Sequence, residues 1–141
     1  MEPGIRFLVI DDSVDDVALL RSTLEPLGPI EITSIESAQL AMDLLSSHES
    51  YCSFDVIVVD WRLPGVAGDQ LAKAILGNPA VEGLIPVVIL SSKLPPPVSD
   101  GLQESGALVL EKPIDLDGYE RLAEELCTLA NRSKAGVAFT N

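Results

Sequence analysis

Asp55-Val56-Ile57-Val58-Val59-Asp60 decides the fold of this chain. Four consecutive β-branched residues stand between two carboxylates. A run that is apolar at every position, rather than at every second one, fits a central strand of a parallel sheet with helices on both faces. The acid closing it, Asp60, then lies at the carboxyl end of the strand, where open α/β sheets bind their ligands.

The pattern repeats outward from there. Arg6–Ile10 reads as a buried strand ending in Asp11-Asp12, Pro86–Leu90 as one ending in Ser91-Ser92, and Leu108–Glu111 as one ending in Lys112-Pro113. Glu31–Ile35 is shorter and alternating, which suits a position nearer an edge. Amphipathic segments separate these runs. Ser13 caps a first helix, with Asp16 completing an S-x-x-D signal, and Val17, Leu20, Leu24 and Leu27 recur at helical spacing until Gly28-Pro29. Ser37 caps a second helix with Leu40, Ala41, Leu44 and Leu45 on its inner face. Pro64-Gly65 and Gly68 mark a loop before a helix that ends near Gly77. Leu94-Pro95-Pro96-Pro97 leads to a short helix, with Pro97 in its first turn, where proline is tolerated. Gly101 within it costs about 1 kcal/mol relative to alanine, so this helix is expected to be marginal. Asp117 and Glu120 open a last helix with Leu122, Leu126, Leu129 and Ala130 inward. A domain over residues 1–130 and a flexible tail over Asn131–Asn141 are expected.

Five strands alternating with helices imply an α/β domain with one five-stranded parallel sheet. Right-handed crossovers favour the order 2-1-3-4-5, a (βα)5 flavodoxin-like arrangement with helices on both faces. Its switch point between the first and third strands would set Asp11-Asp12 beside Asp60.

Composition narrows the functions. At 141 residues and 47% apolar content the chain is one globular domain in size. A formal charge of −13 argues against nucleic acid and anionic membrane as partners. No apolar run approaches the roughly 18 residues of a membrane span, and the first residues lack the basic start of a secretory signal. A cytoplasmic protein is therefore expected, with Cys52 and Cys127 as free thiols. His48, the lone histidine, lacks the company that a catalytic or metal role needs.

Three carboxylates, a hydroxyl and an ammonium thus converge on one crevice, a set suited to a divalent metal and a phosphoryl group. Unit charges about 4 Å apart at an effective dielectric near 20 repel by roughly 4 kcal/mol, and Mg²⁺ is the hard cation that carboxylate oxygens suit. Asp11 and Asp12 taken alone are explained as acids at a helix N-terminus, but Asp60 after the most apolar strand is not. Lysines at strand ends usually extend into water, whereas Lys112 would point at the carboxylates. Ser91 alone would be an ordinary turn residue; in this company it reads as a donor to a phosphoryl oxygen.

The signature Val9-Ile10-Asp11-Asp12, then Asp55–Asp60 continuing into Trp61-Arg62-Leu63-Pro64-Gly65 with Gly68, then Leu90-Ser91-Ser92, then Glu111-Lys112-Pro113, resembles the receiver domain of bacterial two-component response regulators over residues 5–130. The resemblance implies that Asp60 accepts a phosphoryl group from a sensor histidine kinase or a histidine phosphotransferase. It implies Mg²⁺ held by Asp12, Asp60 and the backbone carbonyl of Arg62, with Asp11 assisting through water. Ser91 and Lys112 would contact the phosphoryl oxygens, and the Lys112–Pro113 bond would be cis. With no output domain in sight, a chemotaxis-type, stand-alone regulator or phosphorelay intermediate is expected. It would act through an unidentified downstream protein, with a phosphorylation-dependent dimer as one outcome.

The chain departs from the family pattern at Val109, where an aromatic residue is common, so an aromatic rotamer switch is not expected. Arg62 and Lys93 occupy positions that tune phosphoryl lifetime in the family; they are equally well read as solvated charges. Three rival functions share parts of the pattern. An aspartyl-nucleophile phosphatase would need a second acid where Arg62 stands. A flavodoxin-like electron carrier would bring its FMN phosphate against Asp11-Asp12. A degenerate receiver serving as a constitutive interaction module would be expected to lack some of these site residues.

Overall fold

A computed structural model describes residues 4–45, 54–61, 74–77, 85–92, 96–104 and 106–134. Strands β1 (Ile5–Ile10), β2 (Ile30–Ile35), β3 (Val56–Asp60), β4 (Val87–Ser91) and β5 (Leu108–Glu111) form one parallel sheet in the order β2-β1-β3-β4-β5. Helices α1 (Val14–Leu24), α2 (Ala38–Leu45), α3 (Pro96–Glu104) and α4 (Leu116–Lys134) flank it, and residues 74–76 are helical as well. The expected order and fold are therefore those observed. The register brings the carboxyl ends level: Ile10 lies beside Ile35 and Val59, Asp60 beside Leu90, and Ser91 beside Glu111.

Alternation along the strands divides the core into two layers. Phe7, Val9, Val56, Val58, Val88 and Leu90 pack with Val17, Leu20 and Leu24 of α1 and Leu122 and Leu126 of α4. Leu8, Ile10, Ile57, Val59, Val87 and Ile89 pack on the other face with Ala41 of α2, Ile75 and Leu102 of α3. Every residue of β3 and β4 is buried, as their unbroken apolar runs require. β2 alternates between half-buried and exposed along most of its length and forms one edge of the sheet.

Two apolar residues expected inside are not. Leu27 is 47% exposed because α1 gives way at Glu25 to a 3₁₀ turn, Glu25–Leu27, that carries Pro26. Three residues per turn instead of 3.6 rotates Leu27 off the stripe begun by Leu20 and Leu24. Leu40 is also exposed, since the inner face of α2 centres on Ala41 and Leu44. The last helix continues to Lys134, past the boundary expected at residue 130. Its inner stripe includes Tyr119 and Ala123 beside the anticipated leucines.

Candidate functional site

Strand parity aims the chemistry. Asp11 continues the series Phe7, Val9; Asp60 continues Val56, Val58; Lys112 continues Leu108, Leu110. All three therefore turn toward the layer of α1 and α4. Ser91 continues Val87, Ile89 and belongs to the opposite layer. Backbone bonds hold the strand ends in place. Asp11 N–H donates to the Ile35 carbonyl at 3.0 Å, Trp61 N–H to Leu90 at 2.9 Å, and Lys112 N–H to Ser91 at 2.8 Å.

Carboxylate oxygens of Asp11, Asp12 and Asp60 lie within 4.8 Å of one another. Asp12 is exposed, whereas Asp11, Asp60 and Ser91 are buried. Lys112 Nζ donates to Asp60 Oδ2 at 3.0 Å and to Asp11 Oδ2 at 3.3 Å. The structure thus gathers Asp11, Asp12, Asp60 and Lys112, with Ser91 one residue beyond the register partner of Asp60. Arg62, Pro64-Gly65, Gly68, Lys93, Leu94-Pro95, Cys52 and His48 lie outside the described residues. Cys127 is a free, half-buried thiol, pushed up in pKa by burial.

The Lys112–Pro113 bond is trans, since no cis peptide occurs among the described residues. This corrects the cis geometry implied by the family resemblance. The trans form is the lower in energy for an X–Pro bond by about 0.5–1 kcal/mol.

A fourth carboxylate completes the site. Asp16 Oδ2 lies 2.7 Å from Lys112 Nζ, closer than either of the other two partners. The capping signal is half right. Ser13 Oγ accepts from Asp16 N–H at 3.2 Å, but Ser13 N–H donates to Asp11 Oδ1 at 2.9 Å. Asp11 thus takes the place that the Asp16 carboxylate would have filled, and Asp16 turns to the lysine. Tyr119 of α4 is 3% exposed, and burial, together with the charge of Asp16, pushes its phenol up to about 12. In the sequence Asp16 reads only as part of a helix cap and Tyr119 has no assigned role, although spacing alone places each on an inner stripe. Asp16 precedes Leu20 and Leu24 at four-residue steps, and Tyr119 precedes Leu122 and Leu126 at three and seven, so both fall on inner stripes.

Electrostatics reflect the crowding. Burial raises Asp11 to about 6, and the Asp60 charge adds to this against the opposing Ser13 N–H and Lys112. Burial disfavours the Lys112 ammonium, but hydrogen bonds to Asp16 and Asp60 and the charge of Asp11 outweigh it, so its pKa lies above the usual lysine value. Among the described residues, Asp11, Asp12, Asp16 and Asp60 gather with one ammonium, which leaves an excess of negative charge. An all-oxygen donor set with that excess fits a hard divalent cation.

A doubly wound α/β domain with an acid-lysine crevice at the carboxyl edge of its sheet is the class these features define. The sequence profile described as "Response regulator receiver domain" matches residues 7–124, and the chain belongs to that family of signalling domains. The chain is 31% identical over 130 residues to the two-component response regulator ARR15 of Arabidopsis thaliana, a match covering 86% of this chain and 62% of that protein. It therefore spans less than two thirds of that relative's length. Among solved structures, the Francisella response regulator 1452 receiver domain superposes with a TM-score of 0.73 at 25% identity, covering 92% of this chain and 99% of that one. The Mn²⁺-bound form of response regulator Rcp1 superposes with a TM-score of 0.73 at 22% identity, covering 88% and 91%. No helix among the described residues is long and apolar enough to cross a membrane.

Proposed function

We propose that this chain is a phosphoacceptor receiver that takes a phosphoryl group onto Asp60 from a histidine kinase or histidine phosphotransferase and signals by altered protein contacts. The observation that carries this reading is the 3.0 Å contact of Lys112 Nζ with Asp60 Oδ2, inside a cluster that includes Asp11 and Asp12. An Asp60 oxygen attacks the donor phosphorus in line. The new O–P bond forms as the P–N bond to the donor imidazole breaks, and the imidazole nitrogen takes up a proton. Lys112 stabilises charge on the phosphoryl oxygens, a purely positional and electrostatic contribution. The Ser91 hydroxyl donates to another of those oxygens from the opposite layer.

Asp11, Asp12 and Asp60 would hold Mg²⁺, with the Arg62 carbonyl as a further ligand; a divalent ion supplies charge neutralisation at the transferring group. The Mn²⁺-bound form of Rcp1 supports a divalent ion in this fold. Protein partners rather than nucleic acid suit the charge of −13. The test is incubation with acetyl phosphate and Mg²⁺, read by intact mass. Gain of one phosphoryl group by the unmodified chain, and none by Asp60→Asn, is the expected result. Phosphorylation of Asp60→Asn to the same extent, or none of the unmodified chain, removes the reading.

A further inference from the structure

Lys112 Nζ has three N–H donors and, among the described residues, three carboxylate partners: Asp16 at 2.7 Å, Asp60 at 3.0 Å and Asp11 at 3.3 Å. Two of these have a second claim on them. Asp11 and Asp60 belong, with Asp12, to the acid cluster whose oxygens lie close enough to share a metal ion. A divalent cation there engages their oxygens and repels the ammonium. Asp16 stands outside that cluster. It makes the shortest of the three contacts, and it is carried by a helix, α1, rather than by a strand end. The local structure leaves its carboxylate free for this contact. Ser13 Oγ accepts from the Asp16 backbone N–H at 3.2 Å, and the reciprocal bond of a capping box, from Ser13 N–H, goes to Asp11 Oδ1 at 2.9 Å. The side chain at position 16 is therefore not needed to cap α1. Lys112 is 19% exposed in this pair and Asp16 30% exposed, so the contact lies between a buried ion pair and a solvated one. A phosphoryl group on Asp60 calls for one donor, and the donor that Asp60 Oδ2 now holds is the nearest to it. Asp16 keeps its own.

We infer that Asp16 is a positioning residue: it is the counter-ion that keeps Lys112 in the crevice while a divalent cation occupies the acid cluster, so that one N–H of the ammonium stays aimed at the phosphoryl group. The inference rests on the receiver reading and adds a residue to it. Without the Asp16 carboxylate, the ammonium faces a doubly charged ion while Asp11 and Asp60 are drawn to that ion, and water becomes the better environment for it. The lysine stem is long and flexible, so its head then spends more of its time in solvent and less at the phosphoryl group.

The test uses the full chain, with beryllofluoride as the phosphoryl mimic, and reads two half-saturations from the fluorescence of Trp61, the single tryptophan, which adjoins Asp60. One is for Mg²⁺ alone, the other for beryllofluoride at saturating Mg²⁺. Asp16→Asn keeps the size of the side chain and removes its charge. Asp15→Asn makes the same change at an exposed neighbour on α1, so the general effect of one charge is discounted. Relative to Asp15→Asn, Asp16→Asn raises the beryllofluoride half-saturation about two- to five-fold, the range of a partly exposed ion pair, and leaves that for Mg²⁺ unchanged. Asp16→Glu, which restores the carboxylate on a longer stem, recovers most of the loss. Equal beryllofluoride half-saturation in the two asparagine variants overturns the inference. So does a value for Asp16→Asn below that for Asp15→Asn, the mark of a carboxylate that draws the lysine away from the mimic. A Mg²⁺ half-saturation that rises in step with that for beryllofluoride assigns Asp16 to the metal, and an Asp16→Glu variant that loads no better than Asp16→Asn makes its role structural; either result overturns the inference. All of these leave the receiver reading standing. Failure of the unmodified protein to load at all brings down that reading and this inference together.

Discussion

Lys112 is held by carboxylates contributed by β1, α1 and β3 or their ends, so its removal leaves buried acids facing one another. Lys112→Ala should lower the stability of the metal-free protein by about 3 kcal/mol, the scale of a broken buried pair. Mg²⁺ should restore part of this, as read from urea midpoints with and without the ion. Asp11 makes a separate prediction. Its folded pKa of about 6 lies above the roughly 3.9 of an unfolded aspartate. Between those values the folded state binds more protons than the unfolded one. The stability contributed by this group therefore falls as pH rises from about 4 to about 6 and is gone above that. In urea titrations of metal-free protein, Asp11→Asn should remove this slope. A divalent ion must displace the same proton, so Mg²⁺ affinity measured by Trp61 fluorescence should weaken below about pH 6. The acids at residues 11, 12 and 60 and the lysine were legible in the sequence because each follows an apolar run that ends at the sheet edge. Asp16 was not, because an S-x-x-D spacing already has a sufficient local explanation as a cap. Only the fold reveals that Asp11 fills that role.

At the scale of elements, two glycines in helices behave oppositely. A β-carbon on Gly101 in α3 would meet nothing within 4 Å. Gly101→Ala should therefore stabilise the protein by roughly 0.5–1 kcal/mol, seen as a raised urea midpoint. Gly118 lies near the start of α4, where its N–H donates to Asp115 Oδ1 at 2.8 Å. A β-carbon there would come within 3.0 Å of both Asp115 Oδ1 and Pro113 Cβ. Neither neighbour yields easily, one being a capping acceptor and the other a ring carbon. Gly118→Ala should cost about 1 kcal/mol in the same measurement despite alanine's better helix propensity. Strand positions were readable from the sequence because a fully apolar run has one meaning at that length. Helix faces were less so: Leu27 and Leu40 match a 3.6-residue stripe in sequence. The 3₁₀ turn at Pro26 and the centring of α2 on Ala41 are decided by packing.

For the molecule as a whole, a formal charge of −13 on 141 residues means appreciable self-repulsion in the compact state. Sodium chloride at about 1 M, where the Debye length is about 3 Å, should raise the thermal midpoint. Millimolar Mg²⁺ should raise it further by binding the crevice, an increment that Asp60→Asn should diminish. The overall architecture was legible because alternation of buried strands with helices leaves few right-handed arrangements. The division of the site between layers was not, since it depends on which strand ends lie level. Neighbouring positions on a strand look in opposite directions, so the alcohol at 91 and the amine at 112 lean on different sets of helices. Under the proposed function, one small anion seated between them would be legible from both sides of the slab, and two unlike readers could consult the same event without contending for the same ground.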